Sequence, residues 1–225
     1  MNRKIAISLL WLIALLTYLE NGAFGQRMAY TTQHGFGDIN KWVTVFEDPS
    51  REEWQKPDEV VKMLNVRPGD VIADIGAGTG YFTRRFAVAV GPTGKALGLD
   101  IEPSMVRYMQ EDAQKLGLKN YEARTVKADD PELLPESVDI IFICDTYHHI
   151  ENRVVYLSNL KKALKKDGRI VIVDFYKKES PVGPPLKMKL SEETVKQEFL
   201  KAGYRQTRFL SFLPHHYFLQ FEASE

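Results

Sequence analysis

The stretch VIADIGAGTGYF, residues 71–82, constrains this chain more than any other. A short apolar run ends in Asp74 and Ile75, glycines stand at 76, 78 and 80, and a helical pattern follows. Glycine reaches backbone conformations closed to other residues, so the spacing predicts a tight turn from a buried strand into a helix, with close approach of a ligand to the helix start. A dinucleotide fingerprint would place its third glycine at 81, where Tyr81 stands. Asp74 at the loop entrance disfavours a pyrophosphate and favours a cation. Asp100 closes the next strand pattern, where an acidic side chain accepts from ribose hydroxyls. Together these residues specify a nucleoside with a cationic tail. An oxidoreductase using a dinucleotide is the weaker reading, opposed by the glycine spacing.

The surrounding chain alternates short apolar strands with amphipathic helices. Strands are predicted over 71–75, 96–100, 121–128, 139–144 and 169–175. Helices are predicted from Pro57 to about residue 66, then over 81–90, 103–116, 152–165 and 191–202. In the third of these, Met105, Met109, Ala113 and Leu116 share one face. Such alternation implies a parallel sheet covered on both faces. The end departs from it: strand-like runs over 204–213 and 217–222 are separated only by Pro214, His215 and His216. That link is too short for a parallel crossover, so the last strand is antiparallel to the one before it. The expected fold is therefore α/β: three-layer, doubly wound, with a seven-stranded, mostly parallel sheet and a C-terminal antiparallel hairpin.

The first 25 residues are a separate unit. Arg3 and Lys4 precede an apolar run over 5–19, and small residues stand at Ala23 and Gly25. This is the layout of a cleaved export signal; an uncleaved membrane anchor or a true start at Met28 are the other readings. Residues 26–55 show no sustained period and are expected to form a lid over the domain of residues 56–225. Thirty basic and thirty acidic residues give a net charge of zero, which argues against a nucleic-acid partner. Cys144 is the single cysteine, so an internal disulfide and a multi-cysteine metal site are excluded. It is expected to be a buried strand residue.

The segment Asp74-Ile75-Gly76-Ala77-Gly78-Thr79-Gly80 resembles the first motif of class I S-adenosylmethionine-dependent methyltransferases, and residues 56–223 follow their element order. The terminal hairpin is similar too; in that family the last strand inserts between strands five and six. Within it, the stretch GRIVIVDF resembles the small methyltransferases of the ubiquinone/menaquinone-biosynthesis type. The resemblance implies an enzyme that takes S-adenosylmethionine as methyl donor and a small-molecule acceptor. It assigns Asp74, Gly76, Gly78 and Gly80 to the methionine moiety, Asp100 to the ribose, Ile101 to the adenine and Asp129 to the adenine amino group.

The stretch CDTYHHI, residues 144–150, leaves strand four at the carboxyl edge, where open α/β sheets bind ligands. The turn holding His215 and His216 reaches the same edge. If the acceptor must lose a proton, Asp145 and His148 are the first candidates, then Tyr147 and His149. Adjacent residues of an extended segment point opposite ways, so a histidine metal site would be thin and none is expected. On the acceptor side, Trp54 and Gln55 are expected in the wall and Arg51 against an anionic group, with His215 and His216 nearby. An exported protein of this fold that binds a ligand or partner without methylating is the alternative. Export and membrane association through residues 5–19 stand against cofactor use, which requires cytoplasmic access.

Overall fold

The computed structural model describes residues 38–224. The signal-like segment, residues 1–25, and the first part of the expected lid lie outside the described residues. Helices α1 (Ile39–Phe46), α2 (Arg51–Gln55) and α3 (Pro57–Met63) lead into β1 (Val71–Ile75). The chain continues through α4 (Thr83–Val90), β2 (Lys95–Asp100), α5 (Pro103–Leu116), β3 (Tyr121–Thr125) and β4 (Val138–Cys144). After a 3-10 turn at Tyr147–His149 come α6 (Arg153–Leu160), β5 (Leu164–Phe175), α7 (Glu192–Lys201), β6 (Tyr204–Leu210) and β7 (His216–Ala223). Strand order is β3-β2-β1-β4-β5-β7-β6, with β1 to β5 parallel and β7 antiparallel to both its neighbours. The expected fold class is the observed one, including the insertion of β7 between β5 and β6.

Period-two alternation within the strands explains the three layers. Ile141 and Ile143 of β4, with Ile170 and Ile172 of β5, join one core with Leu157, Val195 and Phe199 from α6 and α7. Ile140 and Phe142, with Val171 and Val173, join the other with Val60, Phe86 and Met109 from α3, α4 and α5. Both faces of the central strands are thus covered, which is why they read as unbroken apolar runs.

Several segments differ from the expected boundaries, among them β6, which ends at Leu210 and not at residue 213, and β7, which already takes in His216. The helix expected to reach residue 165 ends at Leu160, and β5 starts at Leu164, ahead of Asp167 and Gly168. Leu164 already pairs with Val138, and the register then shifts before Ile140 meets Arg169. The Ser137 N–H donates to Ala163 O (2.9 Å) and Lys165 reaches Asp139 at 2.6 Å, so tertiary pairing overrides the helical pattern there. β3 stops at Thr125, and the aperiodic stretch before residue 56 holds α1 and α2, both too short to show a period. Among the described residues, no helix is long and apolar enough to cross a membrane.

Candidate active site

β1 delivers Asp74 to the carboxyl edge and then turns through Gly76, Gly78 and Gly80, with φ of +70°, +56° and +79°. A side chain at Gly76 would collide with Thr146, its Cβ falling 2.3 Å from the threonine methyl. The Gly78 N–H donates to Asp100 Oδ2 (2.8 Å) and the Glu102 N–H to Oδ1 (2.9 Å). Asp100 therefore holds the glycine loop against the end of β2. Burial of Asp100 raises its pKa above the ordinary aspartate value. Gly80 has another reason to be glycine: its Cβ would fall 1.8 Å from Tyr121 Oη, in the core.

The ends of β1, β2, β4 and β5, with α1 and α2 above them, enclose a cleft with about 1040 Å³ of empty space, its open mouth included. Asp74, Asp100 and Asp145 line the cleft against a single guanidinium, that of Arg51. Asp74 is 3% exposed and accepts from Thr83 Oγ1 at 2.6 Å. Burial pushes its pKa up to about 7. Among the described residues no cation pairs with it.

Asp145 leaves β4 in a left-handed conformation, φ +52°. Its Oδ1 accepts from His216 Nε2 (2.9 Å) and its Oδ2 from Gln55 Nε2 (2.7 Å). Burial opposes its ionisation, but the His216 and Gln55 contacts and the field of Arg51 outweigh it and hold the carboxyl below the usual range. His216 is fully buried, stacked on Trp54 at 5.6 Å and packed 4.0 Å from the Phe175 ring. The His148 side chain is also fully buried, with Nδ1 2.9 Å from Asp174 Oδ2. Burial works against its charge, yet Asp174 raises its pKa above the ordinary histidine value. His149, its ring 4.2 Å from that of His148, lines the cleft. Burial and the neighbouring His148 lower its pKa to about 4, so it is neutral near pH 7.

Of the residues singled out from sequence, Asp74, Gly76, Gly78, Asp100, Ile101, Asp145, His149, Arg51 and Trp54 meet on this cleft. Others lie elsewhere. Gly80 packs against Tyr121 and Met109, and Asp129 is exposed beyond the end of β3. Tyr147 is fully buried in the core, its hydroxyl donating to Glu198 at 2.8 Å. His148, His216 and Gln55 sit behind the lining, and His215 is half-buried outside it. Cys144 does line the cleft, its thiol pushed well above the ordinary range by burial and by Asp145. Sequence reasoning missed Phe46, Thr79, Thr146 and Phe175, which also line it. Thr79 and Thr146 fall inside the two quoted motifs; Phe46 carries no local signal.

The cleft fits a nucleoside with a cationic tail. Among the described residues it carries three carboxylates against one guanidinium, and the Thr79 hydroxyl and Trp54 indole N–H are buried in its wall with no hydrogen-bond partner there. Among the described residues, no cluster of histidine, cysteine, aspartate or glutamate is arranged to hold a metal ion.

The methyltransferase-domain family matches residues 67–211 of the chain. The ubiquinone/menaquinone biosynthesis C-methyltransferase UbiE of Ectopseudomonas mendocina is 31% identical over 124 residues, 54% of this chain and 48% of that protein. Its counterpart in Hydrogenovibrio crunogenus is 23% identical over 189 residues, 70% of this chain and 74% of that protein. The chain thus spans about half the length of the first of these relatives. A solved S-adenosylmethionine-dependent methyltransferase from Aquifex aeolicus superposes with a TM-score of 0.77 at 30% identity, covering 84% of this chain and 98% of that one. The magnesium protoporphyrin IX methyltransferase of Synechocystis, solved with bound S-adenosylhomocysteine, shares the fold with a TM-score of 0.64 at 19% identity, covering 84% and 96%.

Proposed function

For a chain that belongs to the class I S-adenosylmethionine-dependent methyltransferases, we propose transfer of a methyl group from that donor to a small-molecule acceptor. The observation that carries this reading is the charge pattern of the cleft: buried Asp74 with no ion-pair partner among the described residues, beside a glycine turn braced by Asp100. When bound, the donor supplies an electrophilic methyl group on a sulfonium. Asp74 balances the positive charge, Asp100 holds the loop and offers its remaining lone pairs to ribose hydroxyls, and Ile101 flanks the base. Phe46, Trp54 and Phe175 make the opposite side apolar and aromatic and exclude water, which suits alignment of a displacement reaction. His149 lines the same cleft in its neutral form and receives the proton of an acceptor that must lose one.

The acceptor we infer is small and largely apolar, as the aromatic wall suits; the relatives named as C-methyltransferases make carbon the first atom to test. Residues 1–25 we assign to export or membrane association on their basic-then-apolar layout. Cell fractionation of the full chain tests that, and recovery solely in the soluble cytoplasmic fraction with an intact N-terminus refutes it. For the activity, calorimetric titration with S-adenosylmethionine and S-adenosylhomocysteine is expected to give micromolar binding, about −8 kcal/mol. A folded sample that binds neither refutes the reading.

A further inference from the structure

Residues 176–190, between β5 and α7, hold four lysines and one acid, Glu179. One of the lysines faces inward. Lys189 is 2% exposed, and its Nζ donates to the Lys178 carbonyl at 2.8 Å and to Ser180 Oγ at 2.6 Å. The same ammonium lies 5.3 Å over the Phe175 ring. It ties the outgoing arm of the loop to the returning one. Gly183, at φ +88°, packs so closely that a Cβ there would fall 2.3 Å from the Phe175 ring. Pro181, Pro184 and Pro185 restrict the backbone between the arms. Lysine is seldom buried; here its burial holds an otherwise open loop in one shape.

That shape sorts the remaining side chains. Lys177, Lys178, Pro185 and Lys187 are exposed, and Leu186, on a 3-10 turn over Leu186–Met188, keeps 39% of its surface in water. Among the described residues, no carboxylate forms an ion pair with Lys177, Lys178 or Lys187. Three ammonium groups around an apolar tip, on a stiffened loop, complement a surface that is anionic outside and apolar beneath. A soluble polyanion would use the charges and leave Leu186 in water. The position of the loop agrees. It leaves β5 at Phe175, which lines the cleft, so it stands on the carboxyl edge of the sheet. The chain enters the described fold at Asp38, the N-cap of α1, and α1 lines the same cleft through Val45 and Phe46. Residues 1–25, with Arg3 and Lys4 ahead of the apolar run 5–19, precede that helix in sequence.

We propose that the outer face of residues 176–190 docks on an anionic lipid bilayer, with Lys177, Lys178 and Lys187 on the headgroups and Leu186 at the acyl boundary. One weak anchor binds a membrane only marginally, and a second contact makes the attachment stable. The loop is that second contact, beside the one assigned to residues 1–25. It turns the carboxyl edge, and the cleft with it, toward the lipid surface. The proposal stands apart from the donor reading and does not depend on it.

The test is co-sedimentation of the full chain with limiting amounts of vesicles, of phosphatidylcholine alone or mixed with phosphatidylglycerol. Residues 5–19 are expected to hold either vesicle, and the loop to add a salt-sensitive preference for the anionic one. A lysine at such a surface raises affinity about fivefold, so Lys177→Gln, Lys178→Gln and Lys187→Gln together should lower the preference about 100-fold. Leu186→Ser should weaken binding to both vesicles about equally. Lys115→Gln, Lys119→Gln and Lys166→Gln together remove the same charge from exposed positions at the opposite edge of the sheet. They should leave the preference within about twofold of wild type. Equal loss in the two triple variants means that net charge alone acts, and the proposal fails. It fails too if the loop variant loses nothing, since the preference then belongs to Arg3 and Lys4, or if wild type shows no preference. Soluble polyglutamate that strips the protein from anionic vesicles at equal charge makes an acidic polymer the better partner and overturns the bilayer. The thermal midpoint and S-adenosylhomocysteine affinity of the loop variant should match wild type. Where they do not, Lys187→Gln alone replaces it, with a fivefold loss of preference expected and no loss refuting the docking face.

Discussion

Tyr147, His148 and His149 are sent three ways by the single 3-10 turn that follows β4, because successive residues of such a turn project about 120° apart. Tyr147 enters the core, His148 turns to Asp174, and His149 faces the cleft. The sequence reading put Asp145 and His148 first and His149 after them; the turn buries the His148 side chain against Asp174 and leaves His149 on the cleft. His149→Ala is therefore expected to lower kcat by about 100-fold or more while S-adenosylhomocysteine affinity stays within about twofold. His148→Ala should act on folding, since it leaves the Asp174 carboxylate buried without its partner. We expect a loss of about 3–5 kcal/mol in denaturant unfolding. The assignment is wrong if the two variants exchange these effects.

Among the elements, the glycine turn does two jobs with one residue type. Gly78 lines the cleft, and a Cβ there would come 3.2 Å from the Phe46 ring. Gly80 faces the core, where a Cβ would meet Tyr121 and Met109. Alanine at 80 should thus cost about 1–3 kcal/mol in stability and leave donor affinity of the folded protein nearly intact. Alanine at 78 should cost less stability and much more affinity. Calorimetry and denaturant unfolding of both variants check this, and equal loss of affinity in the two would show that the turn responds as one unit. The resemblance assigned Gly80 with its neighbours to the donor because spacing alone does not reveal which side of a turn is dry. Packing of α4 and α5 on β2 and β3 decides that.

Folding the whole molecule places Asp74 in the interior against Thr83, with no ion-pair partner among the described residues. Its pKa of about 7 lies above the ordinary value of 3.8, so the folded state binds more protons between those limits. Its contribution to stability is consequently greatest at low pH and declines as pH rises toward about 7. A cationic donor favours the ionised form, so binding should tighten over the same window and release a proton. Asp74→Asn removes both dependences. The expected outcome is a variant more stable than wild type by about 1–3 kcal/mol at pH 8, with a thermal shift from S-adenosylmethionine that is small and flat with pH. A wild-type shift that does not grow between pH 5.5 and 7.5 would exclude Asp74 as the counter-charge.

Local pattern alone determined the layers, the glycine turn and the reversed last strand. Alternation in β4 and β5, the Asp74-to-Gly80 spacing and the three-residue link before β7 each act between near neighbours. What the tertiary structure decided are the partnerships across distance. Gln55 and Asp145 stand 90 positions apart, His216 and Asp145 71 apart, and each pair meets within 2.9 Å. No period or motif encodes such pairs. They exist because parallel strands bring their carboxyl ends together and β7 returns against β5, so that charges remote in sequence share one low-dielectric edge.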